Sequence, residues 1–186
     1  MVSSETAGKL SVSAIVSLIP IVVGTIVGIF GNGGEASREW YDRLEKPIYS
    51  PPPLTFSIVW PILYILIGGA FFLSCFNQEW ITIVALIAAL ALNLLFNFSF
   101  TFLMFRSREL LYASLVTWMT LATALILIVA MMSLPDPSKY PLDYRWWMEC
   151  GPVWMLAPYV AWLVLASMLS SDVFLKNPQD EYEKFD

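Results

Sequence analysis

The side chains that could do chemistry in this sequence are mainly aromatic, because the usual catalytic groups are missing. The 186 residues include no histidine, which rules out a Ser-His-Asp or Cys-His arrangement and an HExxH zinc site. No P-loop, GxGxxG or CxxC pattern is present, and the charge-free apolar stretches lack the carboxylates that a proton relay needs. The sequence therefore predicts no metal site, no required cofactor and no conventional acid–base catalysis.

What remains is a set of ring side chains placed deep in apolar sequence. Trp60, Trp118 and Trp162 fall well inside such stretches, and each buried indole N–H needs an acceptor. Asn97, flanked by aromatic residues, must bond either a neighbouring helix or a ligand. Together these residues indicate an aromatic, mostly apolar pocket that suits a large flat hydrophobic ligand. Ordinary helix packing explains each tryptophan equally well when it is taken alone.

Five charge-free apolar stretches have to position these side chains. The chain is 58% hydrophobic and 13% charged, with a mean hydropathy of +0.68, and each stretch can cross a bilayer core of about 30 Å. The segments are apolar all round, which excludes a soluble helical protein. The sequence thus predicts an all-α membrane protein, a compact bundle of five transmembrane helices in a single domain. We place the spans at about 10–30, 54–75, 81–105, 110–134 and 152–175, with a tail over 1–9, a long structured loop over 31–53 and an acidic tail over 176–186.

The predicted loop between the first two spans is the one sizeable polar segment with a constrained shape. It leads through Pro51, Pro52 and Pro53 into the second span, and proline is tolerated in the first turn of a helix. We predict that Trp40–Gly69 holds the mouth of the pocket. Three loop cations could pair with ligand carboxylates or merely set the topology. These are Arg38, Arg43 and Lys46.

Five spans put the two termini on opposite sides, and the positive-inside rule favours a cytosolic loop and a cytosolic C-terminus. Cations are more frequent in the links and tail of that side, at Arg38, Arg43, Lys46, Arg106, Arg108, Lys176 and Lys184, than on the other, at Lys9, Lys139 and Arg145. Cys75 and Cys150 then share the non-cytosolic side, where they form either a disulfide or two small apolar contacts.

Two further features of the spans concern packing. Gly24 and Gly28 form a GxxxG, which allows close helix approach. They pack within the bundle or, as the weaker alternative, form a homodimer interface. Pro158 is expected to interrupt the last span and free a carbonyl that faces protein or a cavity.

Several motifs in the same order and at the same spacing resemble the translocator protein family, also called tryptophan-rich sensory proteins or peripheral-type benzodiazepine receptors (TspO/MBR). The matching residues are Trp40-Tyr41, Lys46-Pro47, Pro51-Pro52, Val59-Trp60, Leu63-Tyr64, Gly68, the stretch Asn97–Phe105 and the stretch Ala157–Trp162. The resemblance implies a bundle, often dimeric, that binds tetrapyrroles such as protoporphyrin IX, as well as sterols and benzodiazepine-type compounds. Porphyrin would be a ligand here rather than a cofactor.

The resemblance also implies which residues line the ligand site. The expected ligand-binding residues are Trp40, Tyr49, Phe56, Trp60, Tyr64, Asn97, Phe100, Tyr112, Trp118, Tyr159, Trp162 and Ala166. Some bacterial relatives degrade protoporphyrin in light, which makes Trp60 and Trp162 candidates for photo-oxidation. Family tryptophans are replaced at Tyr49, Phe98, Phe100 and Tyr112, so that ring surface is kept and indole donors are lost. The sterol motif is absent, since Ser171 and Leu175 stand at its Tyr and Lys/Arg positions.

Three functions compete on this basis. The first is a receptor or transporter for porphyrin-like ligands, the second a light-dependent porphyrin-degrading enzyme, and the third a sensory protein that depends on partners. Membrane lipid and a porphyrin-like ligand are the expected partners, with a possible homodimer and no nucleic acid, because the chain has no basic run. The resemblance implies an outer mitochondrial or other organelle membrane in a eukaryote and the cell envelope in a bacterium.

Overall fold

The computed structural model describes residues 3–31, 33–76, 78–134 and 152–178, in which all regular secondary structure is helical. The helices are α1 (Ser4–Phe30), α2 (Gly34–Arg43), α3 (Pro53–Ser74), α4 (Trp80–Phe105), α5 (Leu110–Met132) and α6 (Ala157–Lys176). Within these described ranges, five segments are long and apolar enough to cross a membrane, namely α1, α3, α4, α5 and the stretch Pro152–Lys176 that contains α6. The predicted all-α bundle of five membrane-spanning helices is therefore confirmed.

Helix α1 starts inside the segment that we predicted as an N-terminal tail. The Ser3 hydroxyl caps it by accepting a hydrogen bond of 3.1 Å from the backbone N–H of Thr6. Glu5 and Lys9 then form an ion pair of 2.9 Å at i,i+4 spacing. Polar residues thus extend the helix beyond its apolar part, which a search for charge-free sequence does not detect.

The predicted loop 31–53 contains the ten-residue helix α2. Gly33 and Gly34 adopt φ of +70° and +75°, a region that favours glycine, at the connection between α1 and α2. α2 is short and amphipathic: Ser37 and Trp40 are buried while most of its charged residues are exposed. The Ser37 hydroxyl donates to the backbone carbonyl of Phe105 at 2.7 Å, which fastens α2 to the end of α4.

The membrane helices surround the core in the order α3, α1, α4, α5 and α6, and α3 and α6 make only a sparse direct contact. We call the boundary between α3 and α6 the seam. We call residues 44–52, which connect α2 to α3, the strap. The end of the seam at which α3 begins and α6 ends is the strap end, and the opposite end is the far end. A second hydrophobic cluster, the strap-end core, lies beside the strap end. Its buried members are Trp40, Leu44, Met104, Leu110, Ala113, Leu169 and Val173.

Glycines bring α1 and α3 together. Gly24 is buried against the ring of Tyr64, and Gly68 faces the backbone carbonyl of Ser17. Gly24 therefore packs within the bundle, whereas Gly28 lies on the exposed side of α1. Cys75 is buried at the far end of α3. Cys150, and with it the predicted alternative of a disulfide, lies outside the described residues.

The last span is interrupted, as expected, but directly before Pro158. A helical turn over 152–154 is followed by a break in the helix at 155–156, and α6 begins after it. Pro158 lies in the first turn of α6. Proline fits a first helical turn because its missing N–H would have no intrahelical acceptor there.

Candidate functional site

Aromatic rings from three helices meet in the interior of the bundle. Trp60 stacks on Tyr64 with ring centroids 5.4 Å apart and an interplanar angle of 29°. The edge of Tyr159 approaches Trp60 at 6.5 Å, and Phe98 contacts Tyr64 at 5.7 Å. Trp60 and Tyr64 are one helical turn apart on α3, which puts both rings on one face of the helix. The structure thus brings together three of the predicted site residues, Trp60, Tyr64 and Tyr159.

A chain of buried hydrogen bonds lies beside these rings. The Tyr64 hydroxyl donates to Asn97 Oδ1 at 2.9 Å, and Asn97 Nδ2 donates to the Tyr159 hydroxyl at 3.2 Å. The Tyr159 hydroxyl in turn donates to Asn93 Oδ1 at 2.9 Å. Asn93 Nδ2 reaches α5, where it donates to the hydroxyl of Thr123 at 3.0 Å. The network thereby links α3, α4, α5 and α6, and the polar partners of Asn97 lie on neighbouring helices.

Asn93 was not among the sequence-based candidates, although a signal for it exists. It precedes Asn97 by one helical turn, so the two amides share one face of α4. Asn93 is fully buried. Two amides at i,i+4 spacing in a membrane span mark an interior face, because lipid offers them no partner.

A groove of about 480 Å³ opens at the seam. It is lined by Val59, Ile62, Leu63, Pro158, Ala161, Trp162 and Leu165. Ile62, Pro158 and Ala161 are exposed, so the groove opens on the outer surface of the bundle. All of the lining side chains are apolar except for the indole N–H of Trp162. The volume is within the range of small-molecule sites, about 300–1,000 Å³.

Trp162 is the residue of the groove that has an unused polar group. Its Nε1 is buried and has no hydrogen-bond partner among the described residues. Phe56 packs its ring edge-on against the indole, with centroids 5.3 Å apart. A buried donor without an acceptor costs about 1–3 kcal/mol. Because Nε1 is buried, an acceptor in the groove can reach it only if the indole turns.

Other predicted site residues lie elsewhere. Tyr112 and Trp118 are 55% and 46% exposed on the outer surface of α5, and the Trp118 indole donates to the Ser171 hydroxyl at 3.0 Å. Trp40 belongs to the strap-end core, and Phe100 packs against the same cluster. Ala166 is half-buried on α6 and does not line the groove.

The predicted loop cations do not surround the groove either. Arg38 and Arg43 are exposed on α2. Lys46 Nζ lies 4.5 Å from the ring centroid of Tyr41 and 4.0 Å from Asp42 Oδ1. Burial lowers the pKa of Lys46, and burial also raises the pKa of Tyr41. Lys46 is thus engaged within its own segment of the chain.

Tyr49 stands apart from the pocket and contacts the last turns of α6. Its hydroxyl donates to Asp172 Oδ2 at 2.5 Å, and this hydrogen bond raises the pKa of Tyr49.

Within the ranges that the structure describes, no group of three or more Cys, Asp or Glu side chains could hold a metal ion.

Comparison with known proteins agrees with the motifs. The pattern of the TspO/MBR family matches residues 16–175. A tryptophan-rich protein TspO from Bacillus cereus is 28% identical over 140 residues, which are 75% of this chain and 82% of that protein. Another TspO, from Archaeoglobus fulgidus, is 28% identical over 88% of this chain and 95% of its own length. The translocator protein of Bos taurus is 27% identical over 87% of each chain.

Proposed function

The chain belongs to the TspO/MBR family of integral membrane proteins, and we propose that it binds porphyrin-type tetrapyrroles, such as protoporphyrin IX, in the groove at the seam. The observation that carries the proposal is the apolar groove at the seam, whose wall includes the ring of Trp162. The Nε1 of this indole is buried and has no partner among the described residues. In the proposed complex the indole turns, so that Nε1 donates to an acceptor at the edge of a large ring ligand.

The position of the groove supports uptake from the membrane. Pro158 and Ala161 are exposed on the outer surface of α6, where a ligand dissolved in hydrocarbon can reach them without crossing water. The interior, by contrast, is filled by Trp60, Tyr64 and Tyr159, which contact one another. A receptor or transporter role therefore starts from a site that is open to lipid.

Quenching of tryptophan fluorescence in detergent-solubilised protein tests the proposal. Saturable quenching is expected with protoporphyrin IX and none with a sterol, because the sterol motif is absent. Trp162→Phe keeps a ring but removes the donor, so the Kd for protoporphyrin should rise about fivefold, the equivalent of one hydrogen bond of about 1 kcal/mol. Trp80→Phe, at the far end, is the matched control and should leave the Kd unchanged. An unchanged Kd in Trp162→Phe, or no saturable quenching at all, would overturn the proposal.

A light-dependent degradation of the bound porphyrin is the second candidate. Trp162 forms part of the groove wall, and Trp60 stacks on Tyr64 at 5.4 Å in the adjoining interior. These electron-rich rings are close to a ligand that absorbs visible light and sensitises oxygen. Illumination in air should bleach the porphyrin bands, and Trp60→Phe should slow the bleaching several-fold. Equal bleaching rates in the wild type and in Trp60→Phe would exclude the role of Trp60, and a wild-type rate no higher than that of porphyrin alone would exclude the activity.

We also propose that the strap end faces the cytosol. The support is the excess of Lys and Arg in the links and tail of that end. Ile48 is fully exposed there, so Ile48→Cys provides a labelling site. A membrane-impermeant maleimide should react with this cysteine only from the cytosolic side of the membrane. Reaction from the non-cytosolic side would reverse the proposed orientation.

A further inference from the structure

The helix break before α6 places Met155 across the seam, against Gly69 of α3. A Cβ atom built on Gly69 would lie 2.7 Å from Met155 Cε and 3.9 Å from Met155 Sδ. The end of the methionine side chain therefore occupies the space that a side chain at position 69 would fill. Only glycine lets another residue approach the backbone of α3 this closely.

The core holds the backbone around Met155 but leaves its side chain adaptable. Leu156, the next residue, is 1% exposed, and Met155 itself is partly buried against the same hydrophobic cluster. Within the break, the Leu156 N–H donates to the Val153 carbonyl at 2.9 Å. The side chain of methionine is unbranched and has three rotatable bonds, so it can fill irregular space and leave it again.

Met155 lies just beyond the far end of the groove. On α6 the first residue that lines the groove is Pro158, which follows Met155 by three positions. On α3 the groove is lined by Ile62, and Leu66 and Gly69 follow it at i+4 and i+7, so these three share one face of the helix. Gly69 is about 10 Å beyond Ile62 along α3. The contact between Met155 and Gly69 therefore crosses the seam next to the groove.

We infer that Met155 is a movable stop, which closes the groove towards the far end and limits the size of the group that a flat ligand carries in that direction. The inference rests on the proposed function for the class of ligand and adds the residue that determines ligand size. Since α3 and α6 make only a sparse direct contact, the groove would continue over Leu66 without this side chain. A ring with short substituents ends before Met155, whereas a longer ligand must push Met155 away from Gly69.

Labelling with two reagents of different size tests the stop without any porphyrin. Full-length protein in detergent carries Leu66→Cys as the labelling site, with Cys75 and Cys150 replaced by alanine. N-ethylmaleimide is small, whereas N-pyrenylmaleimide carries a large flat ring system like that of the proposed ligand. The measured quantity is the labelling rate with the pyrenyl reagent divided by the rate with the ethyl reagent. A general loosening of the bundle would raise both rates and leave their ratio unchanged.

Met155→Ala should raise this ratio about fivefold, because displacing the intact side chain leaves a void of methyl size over Gly69, which costs about 1 kcal/mol. Met155→Leu keeps the volume and should keep the original ratio. Met155→Val removes less volume, so it should give an intermediate ratio, and it keeps the test available if Met155→Ala fails to fold. Met132→Ala is the matched control, since Met132 is 61% exposed at the end of α5 and lies away from the seam.

An unchanged ratio in both Met155→Ala and Met155→Val overturns the inference. An equal increase in Met132→Ala also overturns it, because the effect would then not come from the seam. A lack of porphyrin binding in the fluorescence quenching experiment would contradict the proposed function alone.

Discussion

The buried network at Tyr159 yields a prediction that follows from geometry alone. The Tyr159 hydroxyl donates to Asn93 and accepts from Asn97, and the side chain is fully buried. Tyr159→Phe therefore removes one partner from each of two buried amides. An interhelical hydrogen bond in a membrane bundle is worth about 0.6 kcal/mol on average, whereas an orphaned buried group costs about 1–3 kcal/mol. Two losses between these limits should lower the free energy of unfolding by about 2 kcal/mol.

Tyr64→Phe is the matched comparison, because it deletes the same group from a ring of the same cluster. The Tyr64 hydroxyl makes a single bond to this network, to Asn97 Oδ1 at 2.9 Å. Its loss should cost about 1 kcal/mol, half of the effect at Tyr159. Tyr112→Phe is the control: its ring is 55% exposed on the outer surface of α5, so the change should stay within about 0.5 kcal/mol.

Titration of the detergent-solubilised variants with SDS, followed by tryptophan fluorescence and helical circular dichroism, measures these free energies. The loss of unfolding free energy is expected to be largest in Tyr159→Phe, smaller in Tyr64→Phe and smallest in Tyr112→Phe. Combining Tyr64→Phe with Asn97→Leu should cost less than the sum of the two, because both remove the same bond. Equal losses at Tyr159 and Tyr64, or strict additivity in the double variant, would refute the assignment of the network.

Two further predictions concern helix packing and the strap. Gly68→Ala would place a methyl in collision with the Ser17 carbonyl oxygen, so α1 and α3 must separate at a cost of about 1–3 kcal/mol. Gly28→Ala meets nothing within 4 Å, and equal melting temperatures of the two variants would contradict this expectation. The bond to Asp172 raises the pKa of Tyr49, so its stabilisation is complete below the ordinary value of about 10 and is lost as pH rises through the higher folded value. The difference in tyrosinate absorbance between wild type and Tyr49→Phe should show a midpoint above that value, and a midpoint below it would disprove the contact.

The spans were predictable because charge decides where a helix can cross a bilayer. Five stretches lack Asp, Glu, Lys and Arg, and they correspond to α1, α3, α4, α5 and the last span. No helical periodicity of apolar residues was needed to find them. Helix α2 was missed for the opposite reason, since it is short, charged and preceded by glycines. Its stability comes from burial of Trp40 and from the Ser37 bond to α4, which are tertiary contacts that local sequence does not reveal.

Which face of a membrane helix points inward was harder to predict. Trp118 stands in the middle of α5 by sequence, yet it is 46% exposed. An apolar helix in lipid has no polar side to mark its outer face, so hydrophobic periodicity is uninformative. Small hydroxyl residues do mark the inner face. On α5 they recur every third position at Ser114, Thr117, Thr120 and Thr123, all of them buried, and Trp118 falls outside that stripe.

The same reasoning separates the two kinds of buried polar group in this protein. Asn93, Asn97, Tyr64 and Tyr159 bond one another across helices, so they fix the register of the bundle. Trp162 Nε1 is buried but unpartnered in the described part of the chain, and Trp162 lies at the seam, where two neighbouring helices make only a sparse contact. Rotating α6 to expose that indole would break the Tyr159 bonds on the same helix. The network therefore holds Trp162 in an unfavourable position, and the groove is the place where an external acceptor gains most.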